Sequence, residues 1–222
     1  SFWGYEIIGV FQSDEEARSY LNAEGKEIQL TATAGDFIYK DRDGDGRIND
    51  GDRTFIGSPY PKFNGGVNVS VEWKDFDFFM FWYSALGHDI YMGVRRYDLE
   101  TVNYSQEDIE NRWTGPGSTN EYPRFSIRDR NKNYERPSEF FVRDADYLRL
   151  KNLTLGYTLP KTITQRIKIS SLRFYLTAEN LLTFTKYTGL EPEVGGEPLS
   201  LGIDKGIYPQ PKTYLCGVSV NF

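Results

Sequence analysis

From Asp41 to Asp52 the chain reads DRDGDGRINDGD, with carboxylates at alternate positions followed by a glycine and, further on, a closing acid. This is the spacing of an EF-hand type calcium loop. Asp41, Asp43 and Asp45 take its first, third and fifth positions. Gly46 permits the sharp turn, Arg47 offers its backbone carbonyl, Asn49 acts through water and Asp52 closes the site. Calcium takes about six to eight hard oxygen ligands, whereas carboxylates crowded together without a cation repel one another. Asp52 stands where Glu is usual, and its shorter side chain implies binding through one oxygen or a lower affinity. Such an ion would be structural, pinning a loop. A plain acidic, glycine-rich exposed turn is the alternative.

Other reactive residues are sparse. His88 is the sole histidine, at the end of a strand with no nucleophile motif around it, and reads as an exposed loop-edge residue, so no enzymatic activity is expected. Cys216 is the sole cysteine, which excludes an internal disulfide and a thiol-rich metal site. A formal charge of -6 argues against a nucleic-acid surface. Arg128, Asp129, Arg130 and Lys132 form a charge run that reads as solvated surface.

The elements that must carry these residues are strands. Val67, Val69, Val71 and Trp73 alternate with Asn68, Ser70 and Glu72, a period of two. If Lys74 and Asp75 form a two-residue hairpin loop, Trp73 faces Phe76, and Phe78, Met80 and Trp82 extend one apolar face up the next strand. Leu153, Leu155, Tyr157 and Leu159 repeat the pattern, as do Leu172, Phe174, Leu176 and Ala178, and finally Tyr214, Cys216, Val218, Val220 and Phe222. Leu148 and Leu150 are out of phase with their strand, which predicts a bulge or a strand start near Lys151. A soluble sandwich would bury such a face as its core; a membrane barrel would turn it to lipid and keep Asn68, Ser70, Glu72 and Asp77 inside.

Between the strands, Ser13 and the acids Asp14, Glu15 and Glu16 predict a short helix ending near Gly25, and a second helix is expected over Gln106 to Trp113. The stretch from about 88 to 146 reads as a long decorated loop. A further loop, 185 to 211, is rich in Gly and Pro, Pro198 among them. Residues 1 to 11, SFWGYEIIGVF, read as a first strand with Gly4 and Gly9 as weak points. The opening residues carry no charged leader segment, so either a signal has been removed or the chain is a piece of something longer, the latter expected because the first residues already read as a strand.

Aromatic residues make up 16% of the 222, with 16 Tyr and 15 Phe, while the mean hydropathy is -0.56. No run approaches the roughly 20 apolar residues of a spanning helix, so any membrane crossing must be by strands. The expected six strands are joined by connections that run long, short, long, short, long. Outer-membrane barrels place short turns on the periplasmic side and long loops outside, which a sandwich has no reason to do. Six is nevertheless fewer than the usual minimum of about eight, so the barrel is incomplete.

The chain resembles the SusC/RagA-like TonB-dependent transporters of the Bacteroidota outer membrane, specifically the last strands of their barrel. The resemblance rests on GDFIYKDRDGDGRINDGDRTFIG at 35 to 57, DYLRLKNLTLGYTLP at 146 to 160, AENLLTFTKYTGLEPEV at 178 to 194 and YLCGVSVNF at 214 to 222. It implies an all-β fold, the C-terminal part of a transmembrane antiparallel barrel of about 22 strands. It also implies a plug, TonB acting through that plug, a SusD-like surface lipoprotein as lid, and oligosaccharide or peptide cargo. The last segment looks like the terminal signal for barrel assembly, with Gly217, Val220 and Phe222, although Leu215 departs from it. On this reading Cys216 faces outer-membrane lipid, and Phe79, Phe81 and Tyr83 face inward, against plug or ligand. Tyr97, Tyr104, Trp113 and Tyr122 either meet ligand or lid or pack within their loop. A secreted, calcium-supported all-β carbohydrate-binding module is the rival reading.

Overall fold

The computed structural model describes residues 1–97, 103–196 and 200–222; Pro198 lies outside the described residues. In chain order its elements are β1 (Phe2–Gly4), β2 (Ile7–Val10), α1 (Asp14–Ser19), β3 (Phe37–Tyr39), β4 (Thr54–Gly57), β5 (Phe63–Trp73), β6 (Phe76–Leu86), β7 (Asp89–Met92), α2 (Gln106–Asn111), β8 (Val142–Asp144), β9 (Tyr147–Thr158), α3 (Lys161–Thr164), β10 (Ser171–Thr185), β11 (Ile203–Asp204) and β12 (Thr213–Asn221). Both longer helices start where the sequence places them. Ser13 caps α1 by accepting from the Glu16 amide, and Ser105 caps α2 by accepting from Asp108. The chain divides into two compact units, described in turn.

The first unit comprises Ser1–Pro59, Asp89–Arg143 and Gly195–Gly206. The expected first strand over residues 1 to 11 is not continuous: β1 pairs with β4, β2 pairs with β3, and neither joins the large sheet. The two weak-point glycines explain the break. A Cβ at Gly4 would collide with the Pro137 carbonyl, and Gly9 sits at φ +153° against the Asn120 side-chain amide. Each lets a different segment approach closely, so the partner changes between them. Tyr5, between the two strands, bonds instead to Pro137 and Glu139. The core here is aromatic: Tyr5, Phe37, Tyr39, Tyr97, Tyr134, Phe140 and Phe141, joined by Val10. The second edge of β3 is satisfied by side chains. Asn133 accepts from the Phe37 amide, Gln29 and Asn131 donate to the Phe37 carbonyl, and Gln29 accepts from Tyr39. A buried strand edge is thereby closed without another strand.

The second unit comprises Tyr60–His88, Asp144–Val194 and Ile207–Phe222. Its sheet has five antiparallel strands in the order β12-β10-β9-β6-β5, one fewer than the sequence predicts. The hairpin has the expected register, Trp73 opposite Phe76, with Lys74 at φ +56° in the turn. The connections around the sheet are short at 74–75, long at 87–146, short at 159–170 and long at 186–212. Among the described residues β5 and β12 remain the outer strands, and the sheet does not close on itself.

Candidate functional site

In the large sheet the register aligns every apolar set. Val71, Phe78, Leu155, Leu176 and Cys216 form one row, and Trp73, Phe76, Tyr157, Phe174 and Val218 form the next. The predicted irregularity is a bulge at Lys151. Phe81 and Trp82, adjacent on β6, oppose Asn152 and Leu150, which skips Lys151. β10 compensates between Glu179 and Leu182, where Asn180 adopts φ +52°. The bulge returns Leu150 and Leu148 to the apolar face, in line with Trp82, Leu182 and Phe184.

That face has no cover within the unit. Val67 is 62% exposed, Leu176 62% and Leu155 48%, so the strands are not the inside of a closed sandwich. Eleven residues of β5 span about 37 Å at ~3.4 Å each, or roughly 26 Å at a 45° tilt, which matches the ~25 Å apolar band of membrane barrels. Aromatic pairs mark both ends, Phe76 with Tyr157 at 4.7 Å and Trp82 with Phe184 at 6.3 Å.

The other face is polar and interlocked. Arg173 donates to both oxygens of Asp77, at 2.8 and 2.6 Å. Arg149, almost fully buried, donates to Thr183 at 2.9 Å, Glu193 at 2.9 Å and Glu191 at 2.5 Å, while Lys151 also reaches Glu193. Burial raises the Glu191 pKa, but amide donors from Gln210 and Glu193 together with Arg149 outweigh it and hold this carboxyl below the usual range. The Arg149 and Lys151 bonds fasten residues 191 and 193 to the sheet's polar face. Sequence reading missed both clusters, although Gly156 inside a strand was a signal of close approach. Phe79, Phe81 and Tyr83 lie half-buried on this face, with the Phe81 ring over Gly66.

In the first unit, carboxylate oxygens of Asp41, Asp43 and Asp45 lie within 4.8 Å of one another. Asp41 accepts from the Gly44 and Gly46 amides, and both glycines have φ near +75° ( φ +74° and +79°). Asp52 stands apart: its oxygens accept from the Arg42 and Asn49 amides at 2.7 and 2.8 Å, and Asn49 in turn accepts from Gly51. The three carboxylates are hard oxygen donors of the kind a dication would take, while Asn49 and Asp52 form a capping box that fixes the loop.

His88 departs from expectation. It is buried, because Tyr147 packs edge-on beside it and Asp146 lies 3.9 Å from its Nδ1. Asp129 is likewise no solvated charge, accepting from the Asn133 and Tyr134 amides, whereas Arg128, Arg130 and Lys132 are exposed. Tyr97, Tyr104, Trp113 and Tyr122 pack in or against the aromatic core, the internal-packing alternative.

No family model matches the sequence. Over its whole length the chain is 31% identical to TonB-dependent receptor P3 of Formosa agariphila, covering 22% of that protein. It is 29% identical to TonB-dependent receptor SusC of Bacteroides thetaiotaomicron over 83% of the chain and 17% of the relative. The RagAB peptide importer in its open-open state superposes over the whole chain with a TM-score of 0.72 at 23% identity, covering 22% of that chain. The chain belongs to the SusC/RagA-like TonB-dependent receptors. It spans about a fifth of the length of the curated relatives it matches. The five-stranded sheet shares its fold with the matching part of the RagAB importer, and among the described residues it does not close.

Proposed function

We propose that this chain is the C-terminal part of an outer-membrane, TonB-driven importer of glycans or peptides. The plug and earlier strands lie outside the sequence described. The chain's role is architectural. Five strands form wall, with one face in hydrocarbon and the other lining the interior, and the connections supply surface for a SusD-like lipoprotein lid. TonB acts through the plug. No reaction is catalysed by these residues. The observation that carries this reading is the single uncovered apolar face running across all five strands. A secreted carbohydrate-binding module has no place for that face, because water would meet it.

The Asp41, Asp43 and Asp45 cradle, with the Arg47 carbonyl, holds a calcium ion in this reading. The ion stiffens the loop and takes no part in transport chemistry. The test of the whole is extraction of the full-length protein from its native membrane. Recovery only in detergent, with a lipoprotein partner and with gel mobility that shifts on boiling, is the expected result. A soluble monomer released without detergent overturns it.

A further inference from the structure

On the apolar face of the sheet, two rows of large side chains stand either side of a trough. Phe76 and Phe174 flank it toward the hairpin turn, and Leu155 and Leu176 flank it on the other side. Its floor is the backbone of the intervening row, Gly156, Tyr175 and Gly217, and it runs out past the short side chains of Cys216 and Val218 on β12. The cavity measures about 400 Å³ and its walls are almost wholly apolar. Polar ligands have nothing to bond there.

We infer that this trough is a seat for one acyl chain of a bilayer phospholipid, in the periplasmic leaflet. The inference rests on the membrane-barrel reading above. Its occupant follows from continuity with the hydrocarbon-facing band: the trough is a recess in that band, between its aromatic end row and its middle. An aromatic row such as Trp73, Phe76, Tyr157 and Phe174 sits at headgroup level in a barrel, so the recess begins where an acyl chain leaves its headgroup. Lys74, in the turn two residues from Phe76, holds its ammonium 4.7 Å over the Trp73 ring, a cation beside the aromatic row with the charge to meet an anionic headgroup. The leaflet follows from the short 74–75 turn, since short turns of such barrels face the periplasm.

The full-length protein in vesicles of phosphatidylethanolamine and phosphatidylglycerol, doped with a phosphatidylethanolamine carrying a diazirine on its acyl chain, tests this. Crosslinks mapped by peptide mass spectrometry are expected to concentrate on the segments holding Phe76, Phe174, Leu176 and Cys216. They should fall to the level of the rest of the face in Val218→Trp and in Cys216→Phe, each checked for folding by its heat-shifted gel mobility. Even labelling along the apolar face, unaltered in either folded variant, overturns the seat while leaving the barrel intact. Ready reaction of Cys216 with a membrane-impermeant maleimide in intact vesicles overturns the barrel reading and the seat with it.

Discussion

Asp77 on β6 and Arg173 on β10 hold each other bidentately across β9, a strand that belongs to neither, directly above Gly156. Any Cβ at residue 156 would stand against both the carboxylate and the guanidinium. The two side chains are about one-third exposed, so their pairing alone is worth about 1 kcal/mol or less. Gly156→Val is expected to cost more, roughly 1–3 kcal/mol, by forcing the pair apart as well as crowding the strand. Denaturant unfolding of the full-length protein in detergent, followed by gel mobility, measures this. A Gly156→Val protein as stable as the parent removes the role assigned to the glycine.

Deleting Lys151 removes the bulge. With the extra residue gone, plain alternation from Leu153 keeps Leu150 and Leu148 on the apolar face and Arg149 inward. Were the phase inverted instead, Arg149 would meet lipid, at a cost of about 2–4 kcal/mol near mid-membrane and less near the interface. The deletion is therefore expected to leave assembly into the outer membrane intact, read by surface labelling. Loss of assembly would show that the bulge itself, and not only the alternation of faces, is needed there.

Arg149→Met leaves Glu191 buried without its cation, and breaking a buried pair on one side costs about 3–5 kcal/mol. The expected signature is local: faster amide exchange in 186–196, with the β5–β6 hairpin unchanged. Unchanged protection of that segment would detach the loop from Arg149.

Acid should release the same segment. Glu191 has a folded pKa below its unfolded value, so its contribution is fully present above the unfolded value of about 4.3 and disappears as pH falls through the folded one. Exchange protection of 186–196, corrected for intrinsic rates, should therefore fall below about pH 4.3 in the parent. Glu191→Gln should flatten that pH dependence, and a dependence that persists in the variant would assign it to another group.

For the acidic loop, calcium at 100 times its dissociation constant would add about 2.7 kcal/mol to the stability of the first unit. Chelation with EGTA is expected to speed proteolysis between residues 41 and 52. Asp43→Ala and Asp45→Ala should abolish the calcium effect, and Asp52→Ala should loosen the loop even without the ion, because Asp52 serves the Arg42 and Asn49 amides. Equal proteolysis with and without calcium in the parent would leave an acidic turn stiffened by hydrogen bonds alone.

The sequence by itself determined what alternation can encode. Period-two patterning set the apolar-face and polar-face residues of Val67–Trp73, Phe76–Trp82 and Leu172–Ala178, and the phase error at Leu148 and Leu150 marked the Lys151 bulge. Hairpin register followed from a two-residue turn, and the helix at Ser13 from its cap. These are local signals, carried by neighbours in the chain. Only the tertiary structure decided what depends on distant partners. Residues 1 to 11 have strand composition throughout, yet Pro137 and Asn120, more than a hundred residues away, break them into two. Asp52 has the spacing of a ligand, yet the carboxylates that the fold brings together are those of Asp41, Asp43 and Asp45, while Asp52 is buried against the Arg42 and Asn49 amides. His88 has no local reason to be buried until Tyr147 arrives beside it. Arg149 and Glu191 lie 42 residues apart, and burying a charge is tolerable only once its partner is in place. Period-two patterns survive in the sequence because each strand's faces repeat every second residue; paired charges and closed backbone edges leave no such period to read.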